Sequence, residues 1–525
     1  MTRRRLASPR RGRVLLLTLL LSSSSVAVHQ PAATASAHTA PPAAARSGPA
    51  TPASATPAPA APGERAPIPS LTGPVPVTAT SRPFDATPVD LAAHGYVEQE
   101  FFLKGTANLY DYDANGKVVV TASNAPYVNR IIVRRPADPK KFSGSVVTEI
   151  LNMSSGWDLN RMWFTSHDQY MRDGDAYVGV TSAPNTVEAL KRYDPKRYAD
   201  LSWADPRPAA ERCTGTALNS SAATDGGLVW DIFSQVGAAL KSHGRDNPLR
   251  GLDVEKVYAT GYSQSGSYLV RYLNAIHPRA KVYDGFLIAA VIPPRPLGKC
   301  SAEIPLADPR NIPRATPQPV IRVQTETDFH WDGGYSRRPD ADTRGDRYRL
   351  YEIPGSAHSY SYTASFQPSP EDLKKAGFTS NYYNSCTSPG LSTDFPEHYL
   401  FNAVQVNLDA WARNGTPPPH APRIQVDGDG RTVVDEHGNA LGGVRTPWLD
   451  VPIATYHPTT TPDSCRLQGH RVPFSIQQLT TLYPDHGYYA RAFMQETQRL
   501  VRERWLTPED GDAAVNTAAN SSIPR

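Results

Sequence analysis

Val254-Glu255-Lys256-Val257-Tyr258-Ala259-Thr260-Gly261-Tyr262-Ser263-Gln264-Ser265-Gly266 is the stretch on which the fold turns. Val254 to Thr260 reads as a hydrophobic strand and Ser265 to Ile276 as an apolar helix, so Ser263 falls on a strand-to-helix turn. A side chain at the apex of such a turn is held in strained backbone geometry, which is tolerable only where the residues two before and two after are small, here Gly261 and Ser265. Gly266 lets the helix come close to the sheet. The turn aims the Ser263 hydroxyl away from the sheet and sets the backbone N–H of Gln264 at a helix N-terminus, where partial positive charge suits an oxyanion. Ser265 is the poorer nucleophile because it already sits in the first helical turn. A plain tight turn with a capping serine is the competing reading, and the strand before and apolar helix after weigh against it.

Outward from this turn the chain alternates. An edge pair is expected at Tyr96 to Leu103 and Tyr127 to Arg134, then apolar strands at Ser145 to Leu151 and Ala176 to Thr181 around a helix at Asn160 to Arg172. A helix at Gly227 to Ser242 precedes the decisive strand, and strands at Val282 to Ala290, Pro319 to Gln324 and Tyr348 to Ile353 follow it, with a long helix at Glu397 to Arg413. Short apolar strands alternating with helices predict an α/β fold, a mostly parallel central sheet with helices on both faces.

A serine hydroxyl needs a base, and the order serine, acid, histidine along the chain is the one such a sheet uses. After the strand ending at Gln324 stands Thr325-Glu326-Thr327-Asp328, and after the strand ending at Ile353 stands Pro354-Gly355-Ser356-Ala357-His358. Both follow strand carboxyl ends, where parallel sheets place their active sites. His358 is therefore the expected base; His277 closes a helix and His398 lies inside one. Asp328 is the expected acid because it lies further into the loop, with Glu326 as the alternative. The second oxyanion donor is expected in Asn152-Met153-Ser154-Ser155-Gly156, at the N–H of Met153.

The arginines Arg3, Arg4, Arg5, Arg10, Arg11 and Arg13, the apolar run Val14 to Leu21 and the Ala35-Ser36-Ala37 cleavage pattern read as a secretory signal peptide over residues 1–37. Arg10-Arg11 also permits a twin-arginine route. Residues 38–80, rich in Ala, Pro, Thr and Ser, are expected to form a disordered linker, with structure beginning near Val89 and one domain over 89–510. Lys and Arg total 54 against 50 Asp and Glu, a balance that implies neither nucleic acid nor an anionic membrane as partner. Cys213, Cys300, Cys386 and Cys465 are an even set in an exported chain, which favours two disulfides in any of three connectivities. Their wide spacing offers no metal site.

The prolines between Pro293 and Pro317 predict an irregular lid rather than a helical cap. Phe329, His330, Trp331, Tyr335, Tyr360 and Tyr362 flank Asp328 or His358 in sequence and suggest an aromatic mouth, or else simple loop packing.

The elbow Gly261 to Gly266, the acidic segment Thr325 to Asp328, the segment Gly355 to His358 and the stretch Gly438-Asn439-Ala440-Leu441-Gly442-Gly443-Val444-Arg445-Thr446-Pro447 together resemble a bacterial family of secreted α/β-hydrolase domain proteins, over roughly Val89 to Asp510. The resemblance implies the α/β-hydrolase fold and an esterase-type activity on a small-molecule ester. Ser267 departs from it, standing where relatives often carry a basic residue. The residues themselves point to acyl hydrolysis through Ser263, His358 and Asp328 without a cofactor. An acyltransferase with the same triad, or a secreted binding protein on the same fold, are the alternatives.

Overall fold

The structure, a computed structural model, describes residues 66–291, 295–379, 391–460 and 465–524. The segment read as a signal peptide and most of the linker lie outside them.

Ten strands form one sheet: β1 (Ser70–Thr72), β2 (Tyr96–Tyr112), β3 (Val118–Pro136), β4 (Ser145–Ile150), β5 (Ala176–Val180), β6 (Lys256–Tyr262), β7 (Gly285–Ala289), β8 (Val320–Thr325), β9 (Ala341–Thr343) and β10 (Asp346–Ile353). Their spatial order is β1-β2-β3-β5-β4-β6-β7-β8-β10-β9. The run from β5 to β10 is parallel throughout, and the antiparallel strands sit at the two edges. Nearly every residue of β4 to β8 is buried, which is why these strands read as unbroken apolar runs.

Side-chain alternation splits the core across the sheet. Val257 and Ala259 of β6 pack with Tyr268, Leu269 and Leu273 of the helix Gln264–Ala275. Tyr258 and Tyr262 share the other cluster with Met162 and with Leu400, Phe401, Val404 and Leu408 of the helix Glu397–Asn414.

Register brings the functional segments to one edge. Tyr262 pairs with Ala289, Ala289 with Val323, and Ile353 with Thr325. Ser263, the segment after Thr325 and the loop after Ile353 therefore leave the sheet at one end, where ligands bind in open parallel sheets.

Four features depart from the expectation. The sheet starts before Val89, because Ser70–Thr72, inside the stretch read as linker, pairs with β2 and Leu71 packs against the core; main-chain pairing needs no apolar pattern to announce it. The edge pair is a much longer hairpin, β2 to β3. A second sheet of Leu391–Ser392, His470–Pro473 and Ala454–His457 joins segments far apart in sequence. The last helix, Pro508–Ala519, runs past Asp510.

Cys213 and Cys300 form a disulfide with Cα atoms 6.2 Å apart. Cys465 is also disulfide-bonded, while Cys386 lies outside the described residues. Among the described residues no helix is long and apolar enough to cross a membrane.

Candidate active site

Ser263 joins β6 to the helix Gln264–Ala275 at φ 62° and ψ −124°. A non-glycine residue there carries strain of about 1–3 kcal/mol that the surroundings must hold in place. They do so tightly. Ser263 N–H donates to Ala289 O at 3.0 Å, and a Cβ at Gly261 would lie 2.7 Å from Ser265 O, one at Gly266 2.4 Å from Ala289 O. Ser265 is occupied in the turn itself: its hydroxyl donates to Tyr262 O at 2.9 Å and accepts from Tyr262 N–H at 3.0 Å. Gly266→Ala is expected to destabilise the fold by about 2–3 kcal/mol, since sheet backbone would have to move; chemical denaturation of the variant measures it.

Thr325 ends β8 and caps the short helix Glu326–Asp332, so the acidic segment is helical rather than a loop. The Thr325 hydroxyl accepts from Asp328 N–H at 3.2 Å and donates to Asp328 Oδ2 at 2.5 Å. The other oxygen, Asp328 Oδ1, lies 2.6 Å from His358 Nδ1, and the carboxylate is fully buried. With Nδ1–H donating to the carboxylate, Nε2 is the ring nitrogen not engaged by Asp328. Thr327 Oγ1 accepts from His358 N–H at 3.1 Å. Glu326 turns elsewhere: its Oε2 accepts from Gly355 N–H at 2.6 Å, and Oε1 faces His330 Nε2 at 3.6 Å. It holds the turn that leads into His358 instead of pairing with the imidazole.

Two further residues act on the same loop. Tyr262 Oη and Arg161 Nη2 donate to the His358 carbonyl at 2.9 Å and 3.1 Å, and the guanidinium stacks 4.6 Å from the Tyr262 ring centre. Tyr262 thereby links the strand that runs into Ser263 to the histidine loop. Beside them Glu397 is fully buried with neither carboxyl oxygen hydrogen-bonded. Burial pushes its carboxyl well above the usual range, opposed by the Arg161 charge. Spacing carries no signal for Arg161, which meets His358 across 197 residues. Tyr262→Phe is expected to lower kcat about fivefold with KM unchanged, the worth of one neutral hydrogen bond of about 1 kcal/mol; steady-state kinetics on any turned-over ester checks it.

Ser263 and His358 share the wall of a cleft of about 430 Å³ with Asn152, Ser154, Trp157, Leu159, Arg161 and Leu467. Asn152 ties the loop after β4 to the elbow, donating from Nδ2 to Tyr262 O at 2.8 Å. Its backbone N–H is taken by Leu159 O, and that of Ser154 by Asn152 Oδ1. Between these two, the N–H of Met153 makes no hydrogen bond among the described residues.

The aromatic mouth is not built as expected. Trp331 alone of the six approaches the histidine, ring centres 5.8 Å apart. Phe329 lies under the Arg337 guanidinium, His330 bonds Thr432, Tyr360 and Tyr362 stack with His398, and Tyr335 is exposed. Neighbours in sequence leave a short helix or turn in different directions, and the cleft takes its apolar wall from Trp157, Leu159 and Leu467 instead. The proline-rich segment is irregular as expected, its described residues forming one short helical turn at Pro309–Asn311. None of its described residues lines this cleft, so it is no lid there; the Cys213–Cys300 bridge and the buried Lys299–Asp205 ion pair, 3.2 Å, hold it elsewhere. Among the described residues no group of three or more His, Cys, Asp or Glu side chains is placed to hold a metal.

Several solved structures share the outline at low similarity. Esterase Est22 is 13% identical, with 54% of this chain and 79% of that chain covered at a TM-score of 0.30. A thermostable esterase from Pseudomonas putida ECU1011 is 15% identical, with 56% and 84% covered at 0.31, and an arylesterase is 13% identical, with 48% and 78% covered at 0.28. Likeness at this level assigns no chemistry. A search of curated proteins finds no match. Residues 71–516, nearly the whole described sequence and all of the segments above, match the family described as alpha/beta hydrolase domain, and the chain belongs to that family.

Proposed function

We propose that the protein is an exported serine hydrolase that cleaves carboxylic esters. Ser263 Oγ attacks the ester carbonyl carbon as His358 Nε2 takes its proton, and the imidazolium then protonates the departing alkoxide as the carbon–oxygen bond breaks. Water, deprotonated by the same nitrogen, attacks the acyl-enzyme; the carboxylic acid leaves and Ser263 regains its proton. Asp328 orients the ring and stabilises its charge. Gln264 N–H, at the head of the helix, and Met153 N–H, free in the loop after β4, hold the oxyanion. One observation carries this reading: a serine strained at φ 62° and a histidine seated 2.6 Å from a buried aspartate open onto the same cleft. Export rests on the N-terminal pattern, and the Cys213–Cys300 bridge suits an oxidising compartment.

The test is turnover of a panel of p-nitrophenyl esters, with and without an alcohol acceptor. Free acid as the product in both cases is the expected result. Transesterified product dominating in the presence of alcohol would make the protein an acyltransferase, and no turnover of any ester would favour the binding-protein reading.

A further inference from the structure

Behind the helix that follows Ser263 lies a second cavity, of about 20 Å³, lined by Ser267, Val270, Arg271, Val291, Arg322 and Asp332 with three others. Two of these are arginines, buried to 1% and 0% exposure. Among the described residues Arg271 is bonded only to neutral acceptors: the carbonyls of Arg295 and Arg310, the Tyr112 hydroxyl and Asn311 Oδ1, at 2.8–3.3 Å. Arg322 spends Nη1 on Ser336 O at 3.3 Å, while its Nε and Nη2 have no hydrogen-bond partner among the described residues. The carboxylate lining the cavity, Asp332, stands 4.0 Å from Nη2, and its Oδ2 already accepts from the Ser336 N–H and hydroxyl. Three neighbouring arginines are paired, Arg310 on Asp308, Arg337 on Glu352 and Arg338 on Asp346. Among the described residues that line the cavity, two buried guanidiniums thus stand with one carboxylate, and unpaired buried charge is costly.

We propose that this cavity binds a monatomic monovalent anion, chloride in ordinary surroundings, held by Arg322 Nε and Nη2 with Arg271 supplying the second positive charge. Size favours a small ion, since the cavity is only about 20 Å³. Charge sets the sign. A water would bring two protons of its own to a wall rich in donors and would leave the excess charge in place, whereas an anion needs donors alone.

The position gives the ion a consequence. Ser267 and Arg271 belong to the helix that begins behind Ser263, Arg322 to β8, and Asp332 ends the helix that carries Asp328. The anion thus joins the nucleophile's helix to β8, the strand that leads into the helix carrying Asp328. Binding stands on the cavity alone; any effect on turnover rests on the function proposed above.

The experiment uses the full chain. Crystals soaked in sodium bromide are expected to show an anomalous peak in contact with Arg322 Nε and Nη2. In solution, chloride or bromide is expected to raise the melting temperature saturably by about 2 °C or more over gluconate at equal ionic strength, and Arg322→Gln to lose that halide dependence. If the variant does not fold, the wild-type peak and titration decide alone. Density without anomalous signal, or equal melting temperatures in all salts, overturns the site. A bromide peak in a protein that turns over no ester keeps the site and removes only its link to catalysis.

Discussion

Ser263→Ala is expected to lower ester turnover by about 10⁵-fold or more while leaving the protein folded. The size follows from chemistry, because without the hydroxyl no acyl-enzyme forms and only transition-state binding by the remaining groups is left. The tolerance follows from structure: the Ser263 side chain makes no capping hydrogen bond, and the bonds that fix the turn come from its backbone and from Ser265. Alanine meets the same strain at positive φ that serine does. Ser263→Gly, which relieves that strain, is expected to be equally inactive and no less stable. Circular dichroism melting beside single-turnover kinetics separates loss of chemistry from loss of fold.

Asp328→Asn is expected to cost about 10⁴-fold in kcat, since an amide offers Nδ1 the wrong tautomeric partner and gives no charge to the imidazolium. Glu326→Gln is expected to change kcat less than about tenfold, because an amide oxygen still accepts from Gly355 N–H where Oε2 now does. The paired comparison tests the acid directly. Inactivation by Glu326→Gln with near-normal activity in Asp328→Asn would exchange their roles.

The elbow was legible because its requirements are local. Small residues at 261, 265 and 266 are dictated by contacts within a few positions and with the adjacent strand, and the added-Cβ distances give the physical reason. The meeting of the Asp328 and His358 segments was legible because parallel strands deliver the segments that follow them to one edge. The clamp on His358 was not, since Arg161 and Tyr262 reach it across 197 and 96 residues and nothing in their local pattern marks a polar contact to a carbonyl. Of the two readings of the flanking aromatics, loop packing is the one the structure favours, because closeness in sequence does not bring side chains to one cleft. Gly438 to Pro447, outside the catalytic segments, braces them: Val444 N–H donates to Glu352 O at 2.8 Å and a Cβ at Gly443 would lie 2.5 Å from the same oxygen, on the strand that leads to His358. The pairing of β1 was hidden because backbone hydrogen bonds can recruit a proline- and threonine-rich segment that hydrophobic patterning assigns to no element.

Fluorophosphonate labelling of the wild-type protein, with the adduct located by peptide mass spectrometry, tests the central assignment most directly. One adduct on Ser263, absent from Ser263→Ala, is the predicted result; an adduct on Ser265 or any other residue, or none in folded protein, would contradict it.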